Sequence, residues 1–343
     1  MRPQLTLSVA LTLCGAFLLP AVWATHAVDD EFRIAIIDSG INANHAEFAS
    51  CGDGFTITWK DYVSNGPSPY DDIGHGTAVA SVAVGKTLGE SPCTSLLVAR
   101  VCEYDEVLET GTCQSSLTSQ AIQWAVNNGA DVINLSLGSL LPTPEPMSAY
   151  EGAISYARGQ QVLVVVAAGN GAANLGLVPT PSEVDQPSGH EHALVVGASR
   201  AERTAYIGTS SDPELIQHGI GVPVARHTTN TGTTSMTGTS FSAPNVAGIA
   251  VEVQKAWLAQ HGSRLSVSEW ENFLKWTAVD SGASAAFEGY GYLDRTASLA
   301  QVPSGMPIAP CDRPIILLDA EWANECANQL YVETATNTVR QFW

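Results

Sequence analysis

Three side chains of different chemistry sit in glycine-bearing turns along this chain. They are Asp38 in IAIIDSGI, His75 in DDIGHGTAVAS and Ser240 in GTSFSAPNVAG. A carboxylate, an imidazole and a hydroxyl are the parts from which an activated nucleophile is built. Each also has an ordinary structural use. Asp38 ends an apolar run, so its carboxylate is buried and needs a partner. An isolated His is more often structural than catalytic. Ser240, between a glycine turn and a helix start, makes a good N-cap. The same place suits a nucleophile, because backbone N–H groups at a helix N-terminus favour developing negative charge. All three together, each in such a turn, are hard to reach by chance.

The elements that must hold these residues follow from the apolar patterning. RIAIID (33–38), SLLVARV (95–101), DVINLSLG (131–138), QVLVVVAAGN (161–170) and ALVVGAS (193–199) read as buried strands. GTAVASVAVG (76–85), LTSQAIQWAVNNG (117–129) and MSAYEGAISYARG (147–159) read as helices between them, and the pattern after Ser240 as another. Val/Ile/Leu-rich strands alternating with helices predict an α/β fold in three layers, a mostly parallel central sheet with helices on both faces. Ligands of such sheets sit beyond the carboxyl ends of the strands, which singles out Asp38, Gly138 and Asn170.

The rest of the chain narrows the function classes. Its 343 residues suffice for one large or two ordinary domains, and the formal charge of −19, from 34 acids and 15 bases, argues against a nucleic-acid partner. MRPQLTLSVALTLCGAFLLPAVWATHA reads as a secretory signal peptide over 1–24, cleaved near Ala24 or Ala27, with an uncleaved anchor as the alternative. Leu13 is too large for a lipobox before Cys14. Cys51, Cys93, Cys102, Cys113, Cys311 and Cys326 then remain, an even number that points to disulfides in an exported chain. Short-range pairing gives Cys51–Cys93, Cys102–Cys113 and Cys311–Cys326, with free buried thiols as the alternative. The Pro-rich QVPSGMPIAPCDRP opens a small disulfide-containing C-terminal extension over 301–343.

The segments DSG, GHGTAVAS and GTSFSAP resemble the three signature motifs of the subtilisin-like serine peptidases, in that family's order of Asp, His and Ser. NLSLG (134–138), VVVAAGN (164–170) and GYGYLD (289–294) resemble further family patterns, so the likeness runs from about residue 31 to 300 and implies a catalytic domain over 25–300. It implies that Ser240 attacks the scissile carbonyl, that His75 moves the proton, and that Asp38 holds the imidazole. Asn170 would donate to the oxyanion with the Ser240 N–H. Polypeptide substrate would lie along Ser136, Leu137 and Gly138 as an added strand, with a second edge at Gly111–Cys113. The expected protein is a monomer in the extracellular space or periplasm, without stable membrane association once the signal is removed. No cofactor is required. Structural calcium is left open without a clear site, Asp71 and Asp72 being either ligands or a solvated turn.

This chain departs from the family in places. Ala78 stands where many members carry a second His, and GVPVARH (221–227) replaces an Ala-Pro-Gly pattern. The interval between the signal and the first strand leaves no room for a propeptide of domain size, so refolding without one is expected. A non-catalytic binding protein of the same fold is the rival reading. An α/β-hydrolase esterase is not, because its Gly-x-Ser-x-Gly elbow and its order of Ser, Asp, His are both missing.

Specificity is open between two readings. Counting back from Ala193 brings Asp185 near the floor of the primary pocket, with Glu183 close by. A carboxylate there would favour Arg or Lys before the scissile bond, since an unpaired buried charge is costly. If Asp185 is an exposed acid instead, a pocket walled by Ala167, Ala168 and Gly169 favours large hydrophobic residues. Two chromogenic peptides differing only in Arg or Phe decide it. An Arg preference that collapses in Asp185→Asn supports the carboxylate floor, and a higher kcat/KM for Phe, unchanged in that variant, supports the apolar pocket.

Overall fold

The computed structural model describes residues 31–64, 66–106, 110–138, 144–170, 192–206 and 213–307. The signal segment 1–24, Glu183, Asp185, Cys311, Cys326 and the extension beyond residue 307 lie outside them. Among the described residues the chain begins with β1 (Arg33–Asp38), α1 (Ala46–Ala49), β2 (Ile57–Asp61), α2 (His75–Val84) and β3 (Ser95–Arg100). A hairpin of β4 (Cys102–Asp105) and β5 (Thr110–Cys113) follows, then α3 (Ser115–Asn127), β6 (Val132–Leu135), α4 (Pro144–Gly159), β7 (Leu163–Ala167), β8 (Leu194–Ser199) and β9 (Leu215–His218). A second hairpin, β10 (Val222–Ala225) and β11 (Thr233–Met236), leads into the long α5 (Thr239–His261), then α6 (Val267–Trp276), α7 (Ala285–Glu288) and α8 (Arg295–Gln301).

Seven strands form one sheet in the order β2-β3-β1-β6-β7-β8-β9, and neighbouring strands run parallel. Side chains alternate across a strand, and this divides the apolar residues between two cores. Ile34, Ile36, Leu96, Val98 and Val165 join α2, α5 and α6 on one face. Ala35, Ile37, Leu97, Ala99 and Val164 join α3 and α4 on the other. This is the three-layer α/β arrangement expected from the patterning. The small residues of α2 let it pack closely on α5, where a side chain on Gly248 would come within 2.8 Å of the Ala83 carbonyl.

Two differences from the patterning have physical reasons. β2 and β9 were not evident because they close the sheet at its edges, and β2 alternates half-exposed residues instead of forming one apolar run. The predicted strands 131–138 and 161–170 stop at Leu135 and Ala167, so Ser136–Gly138 and Ala168–Asn170 leave the ladder as loops at its carboxyl edge.

Two of the three expected cystine pairs are present. Cys51–Cys93 joins the segment after α1 to the approach to β3, and Cys102–Cys113 bridges register partners of the β4–β5 hairpin. A buried ionic cluster fastens the opposite side of the domain. Lys275 Nζ lies 2.5 Å from Glu214 and 2.6 Å from Glu271, and Arg158 reaches Glu271 at 2.6 Å. Burial alone would lower the Lys275 pKa, but the two carboxylates outweigh it and hold the ammonium charged well above the ordinary lysine range. Removing one member of a buried pair strands the others. Lys275→Ala should therefore destabilise the fold by about 3–5 kcal/mol, read as a lowered urea midpoint in equilibrium unfolding.

Candidate active site

The carboxyl ends of β1, β6 and β7, neighbours in the sheet, deliver Asp38, Ser136 and Asn170 to one edge. Two helices begin over that edge, α2 with His75 and α5 with Thr239 and Ser240. Asp38, the last residue of β1, is buried, and its Oδ1 accepts from the Ser39 N–H at 2.7 Å. Both of its oxygens lie 2.9 Å from His75 Nδ1. An ionised carboxylate can only accept, so Nδ1 carries the proton and Nε2 is left with its lone pair. Burial pushes the His75 pKa down, but the charge and hydrogen bond of Asp38, aided by the Asp71 charge, outweigh it and hold the pKa above its ordinary value. Phe241 packs against the imidazole, ring centroids 5.7 Å apart. The His75 side chain keeps 28% of its surface exposed, enough for substrate to reach it.

Ser240 is held by a defect in its own helix. Pro244 lies four residues on and has no N–H, so the Ser240 carbonyl loses its intrahelical partner. Ser136 Oγ donates to that carbonyl instead, at 2.8 Å, and itself accepts from the buried Asn134 Nδ2 at 2.9 Å. Ser240 Oγ donates in turn to the Ser136 carbonyl at 3.2 Å.

Asn170 faces the same helix start. Its Oδ1 accepts from the Thr239 N–H at 3.0 Å and from Thr239 Oγ1 at 3.3 Å. That anchoring leaves Nδ2 as the donor end of the amide, 3.4 Å from where a side chain on Gly238 would sit. Ala167 and Ala168 are buried, and the Gly169 N–H donates to Thr239 Oγ1 at 3.1 Å. Leu137 is half-buried and Gly138 exposed, continuing β6 outward. The Gly111 backbone passes over Ile73, so β5 lies beside the turn that carries His75.

Asp71 is neither a solvated turn nor a spare ligand. It is buried, and it accepts five hydrogen bonds, from Ser39 Oγ, the Ile73 and Gly74 N–H groups, and both the N–H and Oγ1 of Thr77. Asp72 pairs with Arg100 at 2.8 Å. Among the described residues no group of three or more His, Cys, Asp or Glu side chains is placed to hold a metal ion. The motifs marked Asp38, His75, Ser240 and Asn170, but not Asp71, Thr77 or the Ser136 hydroxyl. The available signal was an acid four residues before the His and a Ser directly after the Asp. Gly74 adopts φ 94°, and a side chain there would strike the ring of His227, so the glycine before His75 is required by both conformation and space.

Residues 29–292 match the subtilase family, Peptidase S8. Among curated proteins the chain is 31% identical over 289 residues to halolysin of Haloferax mediterranei, covering 82% of this chain but only 52% of halolysin. It is 30% identical over 259 residues to subtilisin DY of Bacillus licheniformis, covering 74% of this chain and 85% of that protein. Subtilisin BL of Lederbergia lenta is 30% identical over 275 residues, covering 78% and 90%. Among solved structures a lanthipeptide protease superposes with a TM-score of 0.66 at 24% identity, covering 79% of this chain and 87% of its own. A cold adapted subtilisin-like serine proteinase gives 0.63 at 22%, covering 77% and 89%. These two support the fold.

The electrostatics can be tested directly. In Asp38→Asn the chief stabiliser of the imidazolium is lost while burial remains, so the His75 pKa should fall by about 1–3 units. Titration of the imidazole proton resonances by NMR reads the change.

Proposed function

The chain belongs to the subtilase family of serine peptidases, and on that premise we propose that Asp38, His75 and Ser240 are its catalytic triad in an exported endopeptidase. The observation that carries the reading is the Asp38–His75 hydrogen bond, formed beside the start of the helix that bears Ser240. Substrate would lie extended along Ser136–Gly138, displacing the resting hydrogen bond of Ser240. His75 Nε2 would take the Ser240 proton as Oγ attacks the scissile carbonyl, and would return it to the leaving amine. Water then hydrolyses the acyl-enzyme by the same steps reversed. Asn170 Nδ2 and the Ser240 N–H would donate to the oxyanion, and fixed donors at that point act on charge that exists only in the transition state. No step needs a cofactor.

The two cystines support an oxidising destination. No helix among the described residues is long and apolar enough to cross a membrane. We place the mature protein outside the cytoplasm as a monomer acting on polypeptides.

Ser240→Ala should lower kcat by about 10⁶ while leaving a folded protein, and Asn170→Ala by about 10²–10³ with little change in KM. Activity of Ser240→Ala within tenfold of wild type would remove the assignment. Neutral His75 is the working base and its pKa is held high. Hence kcat/KM should rise with pH through a midpoint above the ordinary histidine value of about 6.5, measured as a pH–rate profile.

A further inference from the structure

We propose that Asp71 is a positioning residue for catalysis, a buried carboxylate that fixes the distance and orientation between Asp38 and His75. The inference rests on the triad reading above. Asp38 and His75 come from different elements, the end of β1 and the start of α2, and nothing in either element alone sets their separation. Asp71 joins the two. Through Oδ1 it accepts from Ser39 Oγ at 2.8 Å, next in the chain to Asp38, and from the Gly74 N–H at 2.7 Å, next to His75. Through Oδ2 it accepts from the Thr77 N–H at 2.8 Å and from Thr77 Oγ1 at 2.5 Å, in the first turn of α2.

The same links close into a ring of bonds. Ser39 Oγ also accepts from the Gly76 N–H at 2.9 Å, and Thr77 Oγ1 accepts from the Asn42 N–H at 2.9 Å. β1 and its following turn are thus tied to the α2 start from both sides, with Asp71 at the centre. Only a carboxylate fits. All five groups aimed at it are donors, and an amide would turn its own N–H groups toward some of them. The arginine that meets its chain neighbour, Arg100, is paired with Asp61 at 3.3 Å and Asp72 at 2.8 Å.

The charge also acts on His75. The groups around the imidazole are Asp38 on β1, Asp71 in the turn before α2 and the uncharged Phe241 on α5, with the His227 ring lying against Gly74. Of these, Asp38 and Asp71 favour the imidazolium, the form that develops during proton transfer.

The test is Asp71→Asn in the full chain, with Ser240→Ala measured alongside. Expected for Asp71→Asn is a folded protein whose kcat falls by about 10²-fold, the scale of a misplaced catalytic group, with KM unchanged. The acidic limb of kcat/KM should move to lower pH, because a negative charge near His75 has gone. An unmoved limb, with activity lost only in proportion to unfolded protein, overturns the role of Asp71 while an inactive Ser240→Ala leaves the triad standing. An active Ser240→Ala overturns both. If Asp71→Asn does not fold, Ser39→Ala decides, because it removes one of the five bonds and keeps the charge. A lowered kcat at constant KM, with a shifted resonance of the His75 Nδ1 proton, supports the proposal, and wild-type values of both overturn it.

Discussion

The site depends on one buried charge finding its partner. Asp38 ends a strand whose four preceding residues, Ile34–Ile37, are all core, and a carboxylate in that place is tolerable only with full hydrogen bonding. His75 Nδ1 and the Ser39 N–H supply it. The requirement then propagates. His75 must begin α2, α2 must lie over the end of β1, and its close approach to α5 must be made by small side chains. The Asp38–His75 geometry and the core packing are here the same set of constraints.

The sheet supplies the second constraint. Parallel strands present their carboxyl ends on one edge, so β1, β6 and β7 bring three loops together without any sequence contact between them. Helices returning to the other end start over that edge, with their backbone N–H groups aimed at it. Where a helical bond is missing, at Pro244, the freed carbonyl of Ser240 is taken by a hydroxyl from the loop after β6. A local defect in α5 thereby becomes the link that registers the serine against the sheet.

Much of this was legible in advance, for identifiable reasons. β1, β3 and β6–β8 are covered on both faces and therefore read as apolar runs. β2 and β9 lie at the edges and did not. The strand ends expected at Gly138 and Asn170 fall instead at Leu135 and Ala167, because Leu137 and Ala168 continue the apolar pattern past the last ladder residue. Cys51–Cys93 and Cys102–Cys113 could be paired from proximity in the chain, the second because its two residues face each other across a hairpin.

By itself the sequence determined the alternation that builds the layers, the glycine-bearing turns that hold Asp38, His75 and Ser240, and the proline that removes one hydrogen bond from the first turns of α5. Each is a local matter of periodicity, backbone freedom or a missing donor. Only the tertiary structure decided what Asp71 does. As a sequence feature it is one of two acids in a turn, equally suited to solvent or to a cation. Its five donors come from Ser39 at the end of one element and from residues 73–77 at the start of another. Which groups surround a side chain is fixed by the packing of β1 against α2, and no spacing along the chain encodes that arrangement.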